Sequence, residues 1–183
     1  MVKKIIILTG ASGTGKTTVS HYLTNKYDIP AVITHTTRQQ RSGEQDGVDY
    51  YFETPASFQL NSYLEQVNYD GHFYGSSIEG IQRAWQKADL VSIVLDTKGA
   101  KTYVQHFGQQ AVVLFLTLTP AVLQRRLYAR GDQRNLIQQR LRSVEFQRDL
   151  QVPAALKYVA QVLVNDDWNQ LQRQLDAIIK RLQ

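Results

Sequence analysis

One junction near the N-terminus limits the fold more than any other: "KKIIIL" (3–8) runs almost directly into "GASGTGKTT" (10–18). The first part is a short, unbroken apolar run, the pattern of a strand buried on both faces. The second places Gly10, Gly15, Lys16 and Thr17 in the spacing G-x-x-x-x-G-K-[ST] and passes into "TTVSHYLTNKY" (17–27), which has helical spacing. Glycines at a strand-to-helix turn let successive backbone N–H groups point inward as an anion nest. The helix N-terminus adds the positive end of its dipole. A buried strand, such a turn and a helix make the opening unit of a parallel α/β sheet rather than of an all-helical or all-β fold.

The rest of the chain continues that alternation. "AVI" (31–33) reads as a short second strand, and Ile78 to Lys87 as a helix. "LVSIVLD" (90–96) is a strand, Lys98–Phe107 a helix, and "AVVLFLTL" (111–118) another strand. Pro120 suits a first helical turn and opens a Leu/Arg-rich helical region interrupted at "RGDQRN" (130–135). "QVLV" (161–164) is the last strand, followed by the amphipathic "DDWNQLQRQLDAIIKRLQ". Residues 34–77 differ: they are polar and rich in Tyr and Gly, with short strands around one small helix after Pro55. The expected fold is α/β, a three-layer parallel sheet with helices on both faces. Its core would comprise 1–33, 78–125 and 144–183, with 34–77 inserted as a small lobe and 126–143 as a helical lid.

Composition narrows the chemistry. At 183 residues, 43% hydrophobic and 20% charged, the chain is suited to one globular domain. It has no cysteine, which removes disulfides, thiolate nucleophiles and Cys-based zinc sites, and His21, His35, His72 and His106 lack metal-ligand spacing. Its apolar runs are too short for a signal-peptide core or a membrane span, so a cytoplasmic protein is expected. The net charge of +5 suits nucleic acid, an acidic membrane or a phosphorylated small molecule. With no Lys/Arg tract and no RNA-binding aromatic signature, the expectation is a small phosphorylated ligand, with neither nucleic acid nor membrane as partner.

The glycine loop predicts a nucleoside triphosphate site. Residues Gly10, Ala11, Ser12, Gly13, Thr14 and Gly15 would wrap the phosphates, followed by Thr18 on the first helical turn. Lys16 would reach the outer phosphates, and the Thr17 hydroxyl would ligate a Mg²⁺ ion arriving with ATP.

What such a loop does with the terminal phosphate is decided by 34–77. Here "TTRQQRSGEQDGVDYYF" (36–52) and "EQVNYDGHFYGSS" (65–77) gather hydrogen-bonding groups of both signs around glycines. These stretches closely resemble the acceptor lobe of guanylate kinases, T-T-R-x-x-R-x-G-E-x-D-G-x-D-Y-x-F and then Glu with G-x-x-Y-G-[ST]. The chemistry suits the match. Arg38 and Arg41 offer guanidinium forks to a monophosphate, with Tyr50 and Tyr74 hydroxyls as neutral donors. The Glu65 carboxylate is an acceptor-only partner for the N1–H and 2-amino edge of guanine, and the Thr34 and Ser76 hydroxyls can donate to the O6 side. Adenine would leave the buried acid unpaired, which is costly.

The resemblance covers nearly the whole chain. It implies a P-loop kinase that transfers the γ-phosphoryl group of ATP to GMP, with dGMP left open, acting as a monomer or homodimer. It implies that Asp96, at a strand end, contacts the acceptor nucleoside, and that Arg130 and Arg140 in the lid neutralise the transferring group. Lys16, Arg38, Arg41, Asp96, Arg130 and Arg140 form the implied catalytic set. It also implies that Asn165 in "VNDDW" (164–168) lies on the adenine side, with Asp166 or Asp167 capping the last helix. The chain departs from the pattern at Val94, where an acid is usual, at Lys98 and at Gln147, and its lid is one residue short. Two alternatives remain: a related P-loop kinase for another small phosphorylated acceptor, and a catalytically weak binding module of the same shape.

Overall fold

The structure, a computed structural model, describes residues 2–69, 71–129 and 134–183. Arg130, one of the two expected lid arginines, lies outside them.

The central sheet contains β1 (Lys4–Thr9), β6 (Leu90–Val94), β7 (Ala111–Thr117) and β8 (Ala160–Val164), all parallel, in the order β6-β1-β7-β8. The apolar run of β1 divides its side chains between two cores. Ile5 and Ile7 pack with Ile81 and Ala84 of α3 (Ile78–Lys87) and with Ala100 and Tyr103 of α4 (Thr97–Phe107). Ile6 and Leu8 pack with Val19 and Leu23 of α1 (Lys16–Tyr27) and with Leu171, Leu175 and Ile178 of α8 (Trp168–Leu182). All four are fully buried, which is why the strand shows no polar alternation. Truncating any of them to Ala would cost about 2–5 kcal/mol.

Helices α5 (Pro120–Ala129), α6 (Arg134–Arg142) and α7 (Val144–Asp149) carry a third core, in which Leu123, Leu127, Ile137 and Phe146 enclose Ala11 of the glycine loop. Helix α5 runs on past residue 125 to Ala129, four residues beyond the expected start of the lid at 126 counted inclusively.

Residues 34–76 form a second sheet. Strands β2 (Thr34–Thr36), β3 (Tyr50–Phe52), β4 (Glu65–Tyr69) and β5 (His72–Ser76) lie in the order β3-β2-β5-β4, with a short α2 (Pro55–Phe58) between β3 and β4. Phe58, fully buried, stacks between Tyr63 and Phe73 with centroid distances of 4.4 and 5.6 Å. The expected strand at 31–33 is a correction. Only Ala31 bridges the central sheet, beside Ser92, whose N–H donates to the Pro30 carbonyl and whose carbonyl accepts from Val32 N–H. The ladder stops there because the chain turns away to pair Thr34–Thr36 within the second sheet.

Far from the loop, the Tyr22 and Tyr27 hydroxyls each donate to Asp176 Oδ1 at 2.5 Å, and Lys26 Nζ donates to Asp176 Oδ2 at 2.8 Å. These contacts tie α1 to α8.

Candidate active site

The glycine loop joins β1 to α1. Gly10, Gly13 and Gly15 have φ of 123°, 95° and 96°, a region that side-chain-bearing residues avoid. Space forbids a side chain as well: a Cβ on Gly10 would lie 2.2 Å from the Leu116 carbonyl oxygen, and one on Gly15 2.4 Å from Asn165 Nδ2. Lys16 folds back over the loop, donating from Nζ to the Gly10 carbonyl at 2.6 Å and the Ala11 carbonyl at 2.9 Å. The Thr14 hydroxyl donates to the Ala11 carbonyl at 2.9 Å. Thr17 and Thr18 are exposed on the first turn of α1. An exposed threonine hydroxyl such as that of Thr17 suits Mg²⁺, which takes few protein oxygens when phosphates supply others.

Asn165 braces the loop from across the sheet. It is buried, and its Nδ2 donates to the Thr14 carbonyl at 2.8 Å. Arg126 NH2 in turn donates to the Asn165 carbonyl at 2.8 Å. Sequence reasoning gave Arg126 no role. Asp167 caps α8 by accepting from Gln170 N–H, while Asp166 accepts from Thr119 N–H.

The second sheet gathers most of the other expected residues. Glu65 on β4 stands opposite Ser76 on β5, whose hydroxyl donates to Glu65 Oε1 at 2.9 Å. Only 8% of Glu65 is exposed, and burial pushes its carboxyl up to about 7, with Asp96 adding to the rise and the Ser76 bond opposing it. Such closeness requires a glycine on α4, because a Cβ at Gly99 would lie 2.9 Å from Glu65 Oε2. Asp96 caps α4 by accepting from Gly99 N–H at 2.7 Å. Thr34 is buried in β2, in register with Tyr50.

Arg38 is buried, and its NH2 donates to both Glu44 oxygens at 2.9 and 3.0 Å. Its guanidinium lies 5.4 Å from the Tyr50 ring centroid. Tyr50 in turn meets Tyr74 edge-on at 6.2 Å. Burial pushes the Tyr50 phenol up to about 12, so its hydroxyl stays a neutral donor. Arg41 is exposed, and its backbone N–H donates to Glu44 Oε2 at 2.8 Å. Glu44 thus gathers two cationic residues by holding one side chain and the other's backbone. Arg140 belongs to α6, and its side chain lies outside the described part of the chain.

Two contacts bring the second sheet to the loop side of the molecule. His21 Nε2 of α1 lies 3.1 Å from Asp49 Oδ1, and the Tyr69 hydroxyl of β4 faces the Ser12 backbone N–H, which offsets part of the rise that burial imposes on that phenol. A glycine loop between a parallel strand and a helix, with a second sheet beside it that carries arginines and a buried acid, is the arrangement of a phosphotransferase of the nucleoside monophosphate kinase class.

The comparisons reach the same class and narrow it. The family model described as "Guanylate kinase" matches residues 2–182. The guanylate kinase of Deinococcus radiodurans is 32% identical over 181 residues, 95% of this chain and 73% of the relative. That of Neisseria gonorrhoeae is 35% identical over 183 residues, 96% and 86% of the two chains. The crystal structure of guanylate kinase from Anaplasma phagocytophilum has the same fold, with a TM-score of 0.69 at 22% identity over 100% of this chain and 87% of that one. The chain belongs to the guanylate kinase family. That membership favours phosphotransfer to GMP over the two alternative readings.

Proposed function

We propose that Glu65, Arg38, Arg41 and the glycine loop divide the work of transferring the γ-phosphoryl group of ATP to GMP as follows. Residues 10–15 wrap the ATP phosphates with backbone N–H groups, and Lys16 leaves the loop carbonyls to contact the outer phosphates. Thr17 would be the protein oxygen that holds the Mg²⁺ carried by ATP, and the metal would supply charge neutralisation at the phosphates. Asn165 holds the loop on the adenine side. Residues 34–77 serve as the acceptor lobe and 126–143 as the lid, from which Arg130 and Arg140 would stabilise the moving phosphoryl group. No covalent intermediate is needed: positioning and charge neutralisation suffice.

One observation carries the acceptor assignment. Glu65 is a buried carboxyl that burial has pushed up to about 7. The N1–H and 2-amino group of guanine together supply the donors that make its ionised form favourable. Adenine offers no such pair. Arg38 and Arg41 then receive the GMP phosphate, with Tyr50 and Tyr74 donating and Thr34, Ser76 and Asp96 lining the nucleoside.

A coupled ADP-release assay with GMP, dGMP, IMP, AMP, CMP and UMP tests the reading. GMP should be used best, and IMP, which lacks the 2-amino group, less well by about tenfold or more. Comparable rates with AMP would remove the guanine assignment.

A further inference from the structure

Asp96 is held from two sides. One oxygen caps α4 through Gly99 N–H at 2.7 Å; the other, Oδ2, accepts from Arg148 NH2 of α7 at 2.5 Å. Arg148 is itself anchored, since its Nε donates to Asp149 Oδ1 at 2.9 Å. Asp149 is nearly inaccessible, and the same oxygen accepts from Thr97 N–H at 3.3 Å and the Thr97 hydroxyl at 2.5 Å. Asp96, Arg148, Asp149 and Thr97 therefore form a closed ring linking the end of β6 and the start of α4 to α7.

The charges in this region explain why an arginine is there. Glu65 from β4, Asp96 at the start of α4 and Asp149 from α7 bring three carboxyl groups into one largely buried neighbourhood. The Tyr69 hydroxyl of β4, shielded from solvent, faces Asp149 and Asp96. Lys98 of α4 acts weakly on Glu65, and Tyr103 of α4 feels the Glu65 charge. Arg148 is the cation in direct contact with two of the three acids. A guanidinium fork can serve two carboxylates in fixed directions, whereas a lysine ammonium can serve them only as a point charge.

We propose that Arg148 is a positioning residue for the acceptor: it fixes the direction of the Asp96 carboxylate beside Glu65. The inference rests on the reading of Asp96 as a contact to the acceptor nucleoside. Arg148 follows the lid region in the chain, and nothing in the acceptor pattern of residues 34–77 points to it.

Steady-state kinetics of Arg148→Met, Arg148→Lys, Asp96→Asn and the Arg148→Met/Asp96→Asn double variant test it. Arg148→Met should raise the KM for GMP by about tenfold or more while leaving the KM for ATP unchanged. Arg148→Lys should recover part of that loss. The double variant should be no worse than the poorer single one, because the carboxylate to be steered is gone. If Arg148→Met and Arg148→Lys shift both KM values equally together with a fall in Tm, the arginine is only a structural tie and the inference fails. Asp96→Asn impairing GMP use while Arg148→Met does not would sink the inference and leave the Asp96 reading standing. Asp96→Asn without effect would remove that reading and the inference with it.

Discussion

The donor loop and the acceptor pocket are built from opposite materials. The loop is backbone: three left-handed glycines, a buried asparagine that braces one carbonyl and a lysine folded over two more. Its shape is set by backbone conformation before any ligand arrives. The pocket is side chain: a buried acid against one serine, an arginine borrowed by Glu44, and phenols packed edge-on. On the proposed reading, its parts would exchange these partners for ligand groups. A backbone site is robust to side-chain change but depends wholly on its lysine for reach. A side-chain site can be tuned residue by residue, and it keeps an uncomfortable charge for doing so.

The comparison breaks most sharply at Lys16. Lys16→Ala should cut turnover by about a hundredfold to a thousandfold. GMP affinity, followed by calorimetric titration, should stay near the unmodified value, because the lysine belongs to the glycine loop, where its Nζ donates to the Gly10 and Ala11 carbonyls. A matching loss of GMP affinity would mean the two regions are not separate.

Glu65→Gln comes next, with a loss of about tenfold to a hundredfold in kcat/KM for GMP. The same change should stabilise the ligand-free protein. Glu65 titrates near 7 when folded against 4.5 as a free side chain, so its favourable contribution is present below pH 4.5 and lost as pH rises through 7. Over that span the loss is on the order of 3 kcal/mol. Thermal melts at pH 5 and pH 8 should therefore show a larger decline for the unmodified protein than for Glu65→Gln. Equal declines would show that the acid carries no such burden.

Arg38→Lys sharpens the picture with a smaller effect. Charge is kept, but one ammonium cannot reproduce the two-oxygen contact with Glu44, and the KM for GMP should rise about three- to tenfold. The smallest effect lies away from both regions. Asp176→Asn should leave all kinetic constants unchanged and lower stability near pH 7 by roughly a few tenths of a kcal/mol, since the cluster is exposed. The Lys26, Tyr22 and Tyr27 contacts hold the Asp176 carboxyl down at about 2. Its contribution is thus present above 3.8 and disappears as pH falls through 2, so variant and unmodified protein should melt alike in strong acid.

The same contrast decides how much of the molecule is legible in its sequence. The loop is contiguous, and its geometry follows from glycine spacing alone. Helix α3 spans the 78–87 predicted for it, and the buried run of β1 shows in its unbroken apolar letters. The strand at 31–33 fails because local apolar character says nothing about which of two sheets claims the chain. Arg148 is invisible for a related reason: Asp96 and Arg148 are 52 residues apart, and an arginine among arginines carries no signal until a carboxylate is placed beside it. Arg126 is hidden likewise, beside Arg125 in α5. Asn165 shows in its motif, but its hold on Thr14 does not.

That hold has a consequence for how the chain is made. The strand that launches the loop precedes both of its sheet neighbours in the chain, yet it lies between them, flanked by β6 and β7. Its neighbours end at Val94 and Thr117, and the asparagine that fixes Thr14 follows 151 residues after it. The letters that announce the nucleotide site are translated long before the residue that braces it. A nascent chain that stops short of residue 165 should carry the motif and still be inert toward nucleotide.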